Sequence, residues 1–414
     1  MFVLSHPTGN ANLRAVAEAL HRHGLLDQFH TTLADGAGLT GRLLASLAAE
    51  TSARRRFALP AKKIHLHPWR ELFRQIAPKV GLAQLVRHEY GWASIDRVYQ
   101  SLDRAVAQSL ESSGVSGVYQ YEDGALQTFT AATRLGLTCA YDLPIAYWRL
   151  GRAIQEEEAA LRPEWAMTLE ALCDSSEKLE RKDRELALAD AVFCASTFTA
   201  RSLDAFPGGL GKPVHQVAYG SPTRPLSQQR RMRPKKGPLQ LLFVGGLSQR
   251  KGLSYLFAAV ELLGQSVELT VIGRRPKVAC PALDRALAKH RHIESLPHSG
   301  ILEAMEASDL FVFPSIFEGF GLVLLEAMGR GVPCITTPNT AGPDIITDGV
   351  DGYIVPIRDV DAIVGRVEYL RQDRDALAAM SAAALATSEK MTWECYGNET
   401  VQYLQELGAV KRRG

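Results

Sequence analysis

The chain has 414 residues, more than a single hydrophobic core normally serves, so two domains are expected. With 46% hydrophobic and 22% charged residues and a mean hydropathy of −0.07, it has the composition of an ordinary globular protein. A net charge of +2 offers no ground for nucleic-acid binding, and no run of about 18 apolar residues suggests a transmembrane helix.

Met1–Ser5 reads as a short strand, residues 7–12 as a turn, and Leu13–His23 as an amphipathic helix closed by Gly24. Gly117–Tyr121 and Leu137–Asp142 have the pattern of strand ends. A charged helix is expected over Glu177–Leu188, then a strand over Ala191–Ser196 and a helix over Thr199–Phe206. Between Ser221 and Pro238 the sequence SPTRPLSQQRRMRPKKGP is basic, proline-rich and nearly free of large apolar residues, as an exposed linker would be. Beyond it strands and helices alternate. Strands are expected at Leu239–Gly245, Val267–Gly273, Leu310–Pro314 and Val332–Thr337, with a short extended piece at His292–Leu296. Helices are expected at Leu253–Leu263, Leu283–Lys289, Ile301–Ala307, Leu322–Arg330 and Asp359–Asp373. This rhythm implies parallel sheets covered on both faces, with ligands beyond the carboxyl ends of the strands. Two doubly wound Rossmann-like domains follow: 1–222 and 238–390, joined by a linker at 223–237, with 391–414 as a terminal helix returning to the first domain.

The six cysteines (Cys139, Cys173, Cys194, Cys280, Cys334, Cys395) form no C-x-x-C pair, which fits reduced, buried thiols in a cytoplasmic protein. Met1–Arg14 has no basic start and only a short apolar stretch, so no signal peptide is expected.

Three strand-to-helix junctions in the second half carry the chemistry. In Leu241–Gly252 a strand runs into Gly245-Gly246, and Arg250-Lys251-Gly252 opens a helix; backbone amides and two cations there favour an anion. The same pattern alone also describes a tight turn with two solvated cations. Neither a P-loop nor a G-x-G-x-x-G fingerprint is present. The second junction ends at Gly273. The third, SIFEGFGLVLLEAMGRGVP, places Glu318 on a loop with Gly319, Phe320 and Gly321, starts a helix at Leu322, and sets Glu326 among apolar neighbours. A carboxylate in such company needs a partner. Acids that accept from vicinal hydroxyls, flanking a phosphate-binding helix start, suit a nucleoside-diphosphate sugar.

The E-x7-E spacing of Glu318 and Glu326 resembles that of retaining glycosyltransferases of the GT-B fold, and the local sequence resembles glycosyltransferase family 4. Phe243–Leu247 with Arg250–Gly252, Ala307–Ser315, Gly349–Val355, Glu185–Ser196 and Tyr219-Gly220 resemble further segments of that family. The resemblance implies two Rossmann-like domains facing each other across a cleft. It implies that Glu318 contacts donor-sugar hydroxyls, Glu326 the ribose diol, and Lys251 the diphosphate, aided by amides from Gly319 to Leu322. The family usually has arginine where this chain has Gly246, so Arg250 is expected to supply that cation. Many members have a histidine near the donor sugar where this chain has Ala140–Pro144; Asp142 is either its polar substitute or a buried structural acid. Gly9 and Asn10 either face donor phosphates or form an ordinary turn whose Asn12 caps the helix.

The expected reaction is transfer of a sugar, with retention, from a nucleoside-diphosphate sugar to a glycan, lipid-linked or small-molecule acceptor, without a metal or further cofactor. Asp359-Val360-Asp361 is read as a helix cap rather than a metal motif. A phosphorylase, an epimerase, or a non-catalytic nucleotide-sugar-binding regulator or subunit are the other classes. Residues 42–87 hold ten Lys or Arg against Glu50 and Glu71, interleaved with Leu66, Trp69, Leu72, Phe73 and Ile76. Such a stretch is either a solvated helix face or a contact with an anionic membrane.

Overall fold

The computed structural model describes residues 1–35, 55–112, 114–221 and 237–411. Most of the 223–237 linker, and the 42–54 part of the basic stretch, lie outside the described residues.

Two parallel sheets organise the chain. The first has the order β3-β2-β1-β4-β5-β6-β7. Its strands are β1 Phe2–Ser5, β2 Leu26–Thr31, β3 Ile64–Leu66, β4 Gly117–Tyr121, β5 Thr138–Leu143, β6 Ala191–Cys194 and β7 Val214–Gln216. The second has the order β10-β9-β8-β11-β12-β13. It comprises β8 Leu239–Val244, β9 Val267–Ile272, β10 Arg291–Ile293, β11 Leu310–Phe313, β12 Cys334–Thr336 and β13 Gly352–Ile354.

Successive side chains in the first sheet go to opposite faces, as the strand period requires. Phe2 and Leu4 join a cluster with Leu13, Val16 and Leu20 of helix Ala11–Arg22. Val3, Val118, Tyr141 and Val192 join Phe129 and Leu186 on the other face. The second sheet has one core, with Phe243, Val271, Phe311 and Ile335 between helices that include Leu253–Leu263 and Val360–Gln372.

Several strands end one or two residues before the sequence suggests, because Gly245, Gly273 and Pro314 already bend into the turns. Asp359 caps helix Val360–Gln372, its carboxylate accepting from the Ala362 amide at 2.8 Å. Four cysteines are buried, whereas Cys173 and Cys395 are exposed, contrary to the expectation of uniformly buried thiols. No helix among the described residues is long and apolar enough to cross a membrane.

The chain crosses between the sheets twice, and the crossings are stitched together. The Ser221 amide donates to the Met391 carbonyl at 2.8 Å, and a side chain on Gly220 would collide with the Trp393 backbone. Helix Trp393–Lys411 then packs on helix Ala11–Arg22 through Tyr396, Val401 and Leu404.

A longer brace comes from helix Trp148–Leu161 and the turns after it. Trp165 belongs to the second sheet's core. Glu158, 0% exposed, accepts from Gln249 Nε2 at 2.8 Å, the Tyr255 hydroxyl at 2.9 Å and Arg358 Nε at 2.7 Å. A buried carboxylate with three donors is stable where an unpartnered one would be costly.

At Gly397 a Cβ would lie 2.7 Å from the Ala15 carbonyl oxygen and 2.9 Å from Ala19 Cβ, whereas the exposed Gly365 has nothing within 4 Å. Gly397→Ala should therefore lower the melting temperature. Gly365→Ala, inside a helix, should raise it by a few degrees, since glycine costs a helix about 0.5–1 kcal/mol relative to alanine. Thermal melts of the two variants read this; equal effects would mean that the terminal helix does not depend on the close contact.

Candidate functional site

The donor-type residues converge at the carboxyl end of the second sheet, where the turn after β8 meets the loop after β11. Main-chain bonds join the two segments. The Arg250 carbonyl accepts from the Ile316 amide at 2.8 Å and from Ser315 Oγ at 3.1 Å. Gly252 has the left-handed φ of +70°, and a Cβ there would collide with the Pro314 carbonyl oxygen. Only glycine passes this point without strain.

The stitching turns two cations onto one acid. Arg250 Nη1 lies 3.0 Å from Glu318 Oε2, and Lys251 Nζ contacts the same oxygen. Arg250 also donates to the Phe317 carbonyl at 3.2 Å, and Lys251 Nζ sits 4.9 Å from the centre of the Phe313 ring. Burial, and then the neighbouring guanidinium, lower the Lys251 pKa well below that of a free lysine. One carboxylate facing two cations leaves a local excess of one positive charge.

Glu326 lies on helix Leu322–Met328, nearly covered, and its Oε1 is 3.0 Å from His298 Nε2. His298 carries no motif in the sequence. It is half exposed but partnered with this acid, and no short-range signal marks a pair 28 positions apart.

The glycines serve in different ways. Gly246 is exposed, and a Cβ there would meet nothing within 4 Å. Gly273 packs so tightly that a Cβ would collide with the Gly245 carbonyl oxygen. Gly321, at φ +81°, ends the loop and begins the helix, its carbonyl accepting from the Leu324 amide at 2.8 Å. Leu322 is half-buried at that helix start. Phe320 is buried, its ring 4.9 Å from that of Tyr219. Gly319 touches the first domain: a Cβ would meet the Pro144 carbonyl oxygen, and its own carbonyl accepts from Thr199 Oγ1 at 3.0 Å and from Ser196 Oγ. Asp344 adds a second cross-domain contact, accepting from the Thr197 amide at 2.9 Å and Gln216 Nε2 at 2.8 Å.

Asp142 has a different setting. Its side chain is buried with Tyr119, whose hydroxyl donates to it at 2.6 Å. Burial raises its pKa to about 7, against the opposing effect of the Tyr119 hydrogen bond. In the first-sheet turn, the buried Gly9 gives its carbonyl to Arg14 at 3.2 Å. Asn10 is exposed at the helix N-cap, and its Oδ1 accepts from Thr8 Oγ1 at 3.0 Å. Asn12 does not cap the helix, which begins at Ala11; it donates to the Tyr219 hydroxyl at 3.3 Å.

His6, at the end of β1, escaped the sequence reading. Its Nδ1 accepts from the Thr8 amide at 3.0 Å and its Nε2 is 3.3 Å from the Tyr99 hydroxyl. Burial holds its pKa down at about 4.

Comparison with known proteins bears on the same region. Residues 227–387 match the family model described as "Glycosyl transferases group 1". The chain is 29% identical over 181 residues to a glycogen synthase of Mycobacterium tuberculosis, covering 41% of this chain and 43% of that one. It is 41% identical over 95 residues to the lipopolysaccharide core biosynthesis mannosyltransferase LpsB of Rhizobium meliloti, covering 22% and 27%. The matched stretches thus span less than half the length of these curated relatives. Among solved structures, a sucrose-phosphate synthase from Thermosynechococcus elongatus superposes with a TM-score of 0.65 at 17% identity, over 99% of both chains. Anabaena Alr3699/HepE in complex with UDP and glucose superposes with a TM-score of 0.63 at 14% identity, over 98% of this chain and 99% of that one. These likenesses establish the GT-B fold over nearly the whole length. Residues 227–387 thus resemble the group 1 glycosyl transferases.

Proposed function

We propose that the chain transfers a hexose, with retention of anomeric configuration, from a nucleoside-diphosphate sugar to an acceptor hydroxyl. The observation that carries the reading is the convergence of Arg250 and Lys251 on the single carboxylate Glu318. Two cations with one acid suit a diphosphate as the second counter-charge, and the acid then becomes available to sugar hydroxyls. Glu326, beyond the first turn of the helix, accepts from the ribose diol, with His298 orienting it. The names of the relatives, which include mannosyltransferases and a glycogen synthase, support a hexose donor, as does the neighbour holding UDP and glucose.

The bond between sugar C1 and the phosphate oxygen breaks, and negative charge grows on the departing nucleoside diphosphate. Lys251 and Arg250 meet that charge where it develops; they are already in place, so the response needs little reorganisation. The acceptor oxygen bonds to C1 from the same face, and its proton passes to the departing phosphate oxygen. Lys251 gains stabilisation of its ammonium form as the diphosphate arrives, offsetting the effect of burial. No other charge stabiliser enters this scheme. Arg250 answers the arginine absent at Gly246, because its guanidinium reaches Glu318 from the neighbouring turn. Asp142 takes a structural role in this reading.

A hydrogen bond to a charged group contributes about 1.5–3 kcal/mol, so Lys251→Ala and Glu326→Ala should each weaken nucleoside-diphosphate binding by roughly 10- to 100-fold in calorimetry. Gly246→Arg should fold normally and bind at least as tightly. Unchanged affinity in both alanine variants would remove the site from consideration. With a panel of nucleoside-diphosphate hexoses, the wild type should turn over at least one donor and give a product of the donor's anomeric configuration by NMR. Inversion, or no turnover with any donor despite nucleotide binding, would contradict the transferase reading.

Asp142→Asn separates structure from chemistry. An acid whose pKa is raised in the fold contributes stability at low pH and loses it as pH rises through the folded value, here about 7. The variant should therefore melt several degrees higher than wild type at pH 8, with the gap closing near pH 5, while turnover stays within a few-fold. A loss of turnover by orders of magnitude with unchanged melting would return Asp142 to the reaction.

A further inference from the structure

Helix Trp69–Ile76 buries Leu72 and Glu71 but turns its other large apolar side chains outward. A surface helix normally turns its apolar stripe to the core. Here Trp69, Phe73 and Ile76, at spacings of four and three and so on one face, are 71%, 46% and 40% exposed, while Glu71 is 0% exposed. The orientation is imposed by the acid. Glu71 Oε1 lies 2.9 Å from Arg55 Nη2, and Oε2 lies 2.7 Å from Arg74 Nε. Arg55, itself buried, also donates to the Pro7 carbonyl and to Thr32 Oγ1, both at 2.8 Å. Rolling the aromatic face inward would break this network and leave charges unpaired in the interior.

The apolar surface continues past the helix. Val80 and Leu82 are exposed, on a stretch from Pro78 to Gln84 that is exposed throughout. Trp92 returns beside the helix, its ring 5.2 Å from that of Phe73 and 4.6 Å below the Arg70 guanidinium. Of the 17 exposed large apolar side chains among the described residues, eight fall between residues 69 and 95, both exposed tryptophans among them. Such concentration exceeds the single scattered apolar residues that a soluble surface normally carries and marks an interaction face.

Charge selects the partner. Within residues 69–95 the bases are Arg70, Arg74, Lys79 and Arg87, and the acids are Glu71 and Glu89. Glu71 is consumed in the interior, and Glu89 is half-buried, accepting from the Ser175 amide at 2.9 Å. Lys79 and Arg87 are exposed. The outward charge of the face is positive. Tryptophan and other apolar side chains rimmed by lysine and arginine match the boundary between headgroups and acyl chains of an anionic bilayer. A hydrophobic protein interface would have no need of this one-signed rim.

We propose that residues 69–95 seat the chain on an anionic membrane, with Trp69, Phe73, Ile76, Val80, Leu82 and Trp92 entering the interfacial layer and Lys79 and Arg87 on lipid phosphates. This moves the membrane contact expected over 42–87 onto a defined face. The helix starts directly after β3, where the His67 amide donates to the Thr31 carbonyl at 2.8 Å. The face therefore adjoins the carboxyl edge of the first sheet. An amphiphile anchored in the bilayer could present a headgroup hydroxyl there. The proposal is independent of the donor site and of any transferase activity.

The test is flotation of the full chain with vesicles of phosphatidylcholine alone, or with 30 mol% phosphatidylglycerol, at low and at 0.5 M salt. Binding should require the anionic lipid and weaken at high salt. Trp69→Ser/Val80→Ser/Leu82→Ser and, separately, Lys79→Glu/Arg87→Glu should each reduce it at least tenfold. Neither should lower the melting temperature appreciably, since all five side chains are exposed. Absence of binding to both vesicle types, equal binding to both, or retained binding by the folded variants would overturn the proposal. So would a concentration-dependent dimer, seen by light scattering and abolished by the apolar triple substitution, which would assign the face to a second copy of the chain.

Discussion

Two cations share one carboxylate at the edge of the second sheet, and much of the surrounding structure keeps them there. Lys251 is almost fully covered, and burial works against its charge. It stays in this setting because Glu318 faces it, and Glu318 faces it because the Arg250 carbonyl is tied to Ser315 and Ile316. The interaction joins two junctions that are distant in sequence, each of which alone would be an ordinary turn. Neither the lysine nor the acid has a comparable partner within its own segment.

The same constraint links the site to the other half of the molecule. Gln249, next to Arg250, donates to Glu158, and its amide donates to Thr168 Oγ1 at 2.8 Å. On the opposite side, Gly319 hangs from Ser196 and Thr199. Both ends of the donor-type constellation are thus anchored in residues 148–202, which run between the first sheet's strands and the second sheet's core. A relative movement of the two sheets would have to pull on one of these anchors. The donor-type constellation and the arrangement of the halves are therefore coupled through short hydrogen bonds.

Legibility from sequence followed the range of the interaction. The strand, glycine and cation order at Phe243–Gly252, and the acid spacing at Glu318–Glu326, are local patterns, and they announced the site. The alternation of strands and helices announced the two parallel sheets for the same reason. Glu158 is 91 positions from Gln249 and 200 from Arg358. A glutamate in a charged helix carries no mark of becoming a buried junction. Asp142 was ambiguous because a residue at a strand end can open to the cleft or turn beneath it; its hydrogen bond from Tyr119, on the neighbouring strand, has no local signature. The basic stretch of 42–87 read equally as a solvated helix face or a membrane contact, because the burial of Glu71 against Arg55, which turns Trp69, Phe73 and Ile76 outward, leaves no local mark.

The most direct test of the donor-site reading is a crystal structure of the chain with a bound nucleoside diphosphate. The diphosphate should lie against Lys251 Nζ and the Arg250 guanidinium, with the ribose hydroxyls on the Glu326 carboxylate and Glu318 released from at least one of its two cations. A nucleotide bound elsewhere, or bound with the Glu318 contacts to Arg250 and Lys251 both intact and no ribose at Glu326, would contradict it.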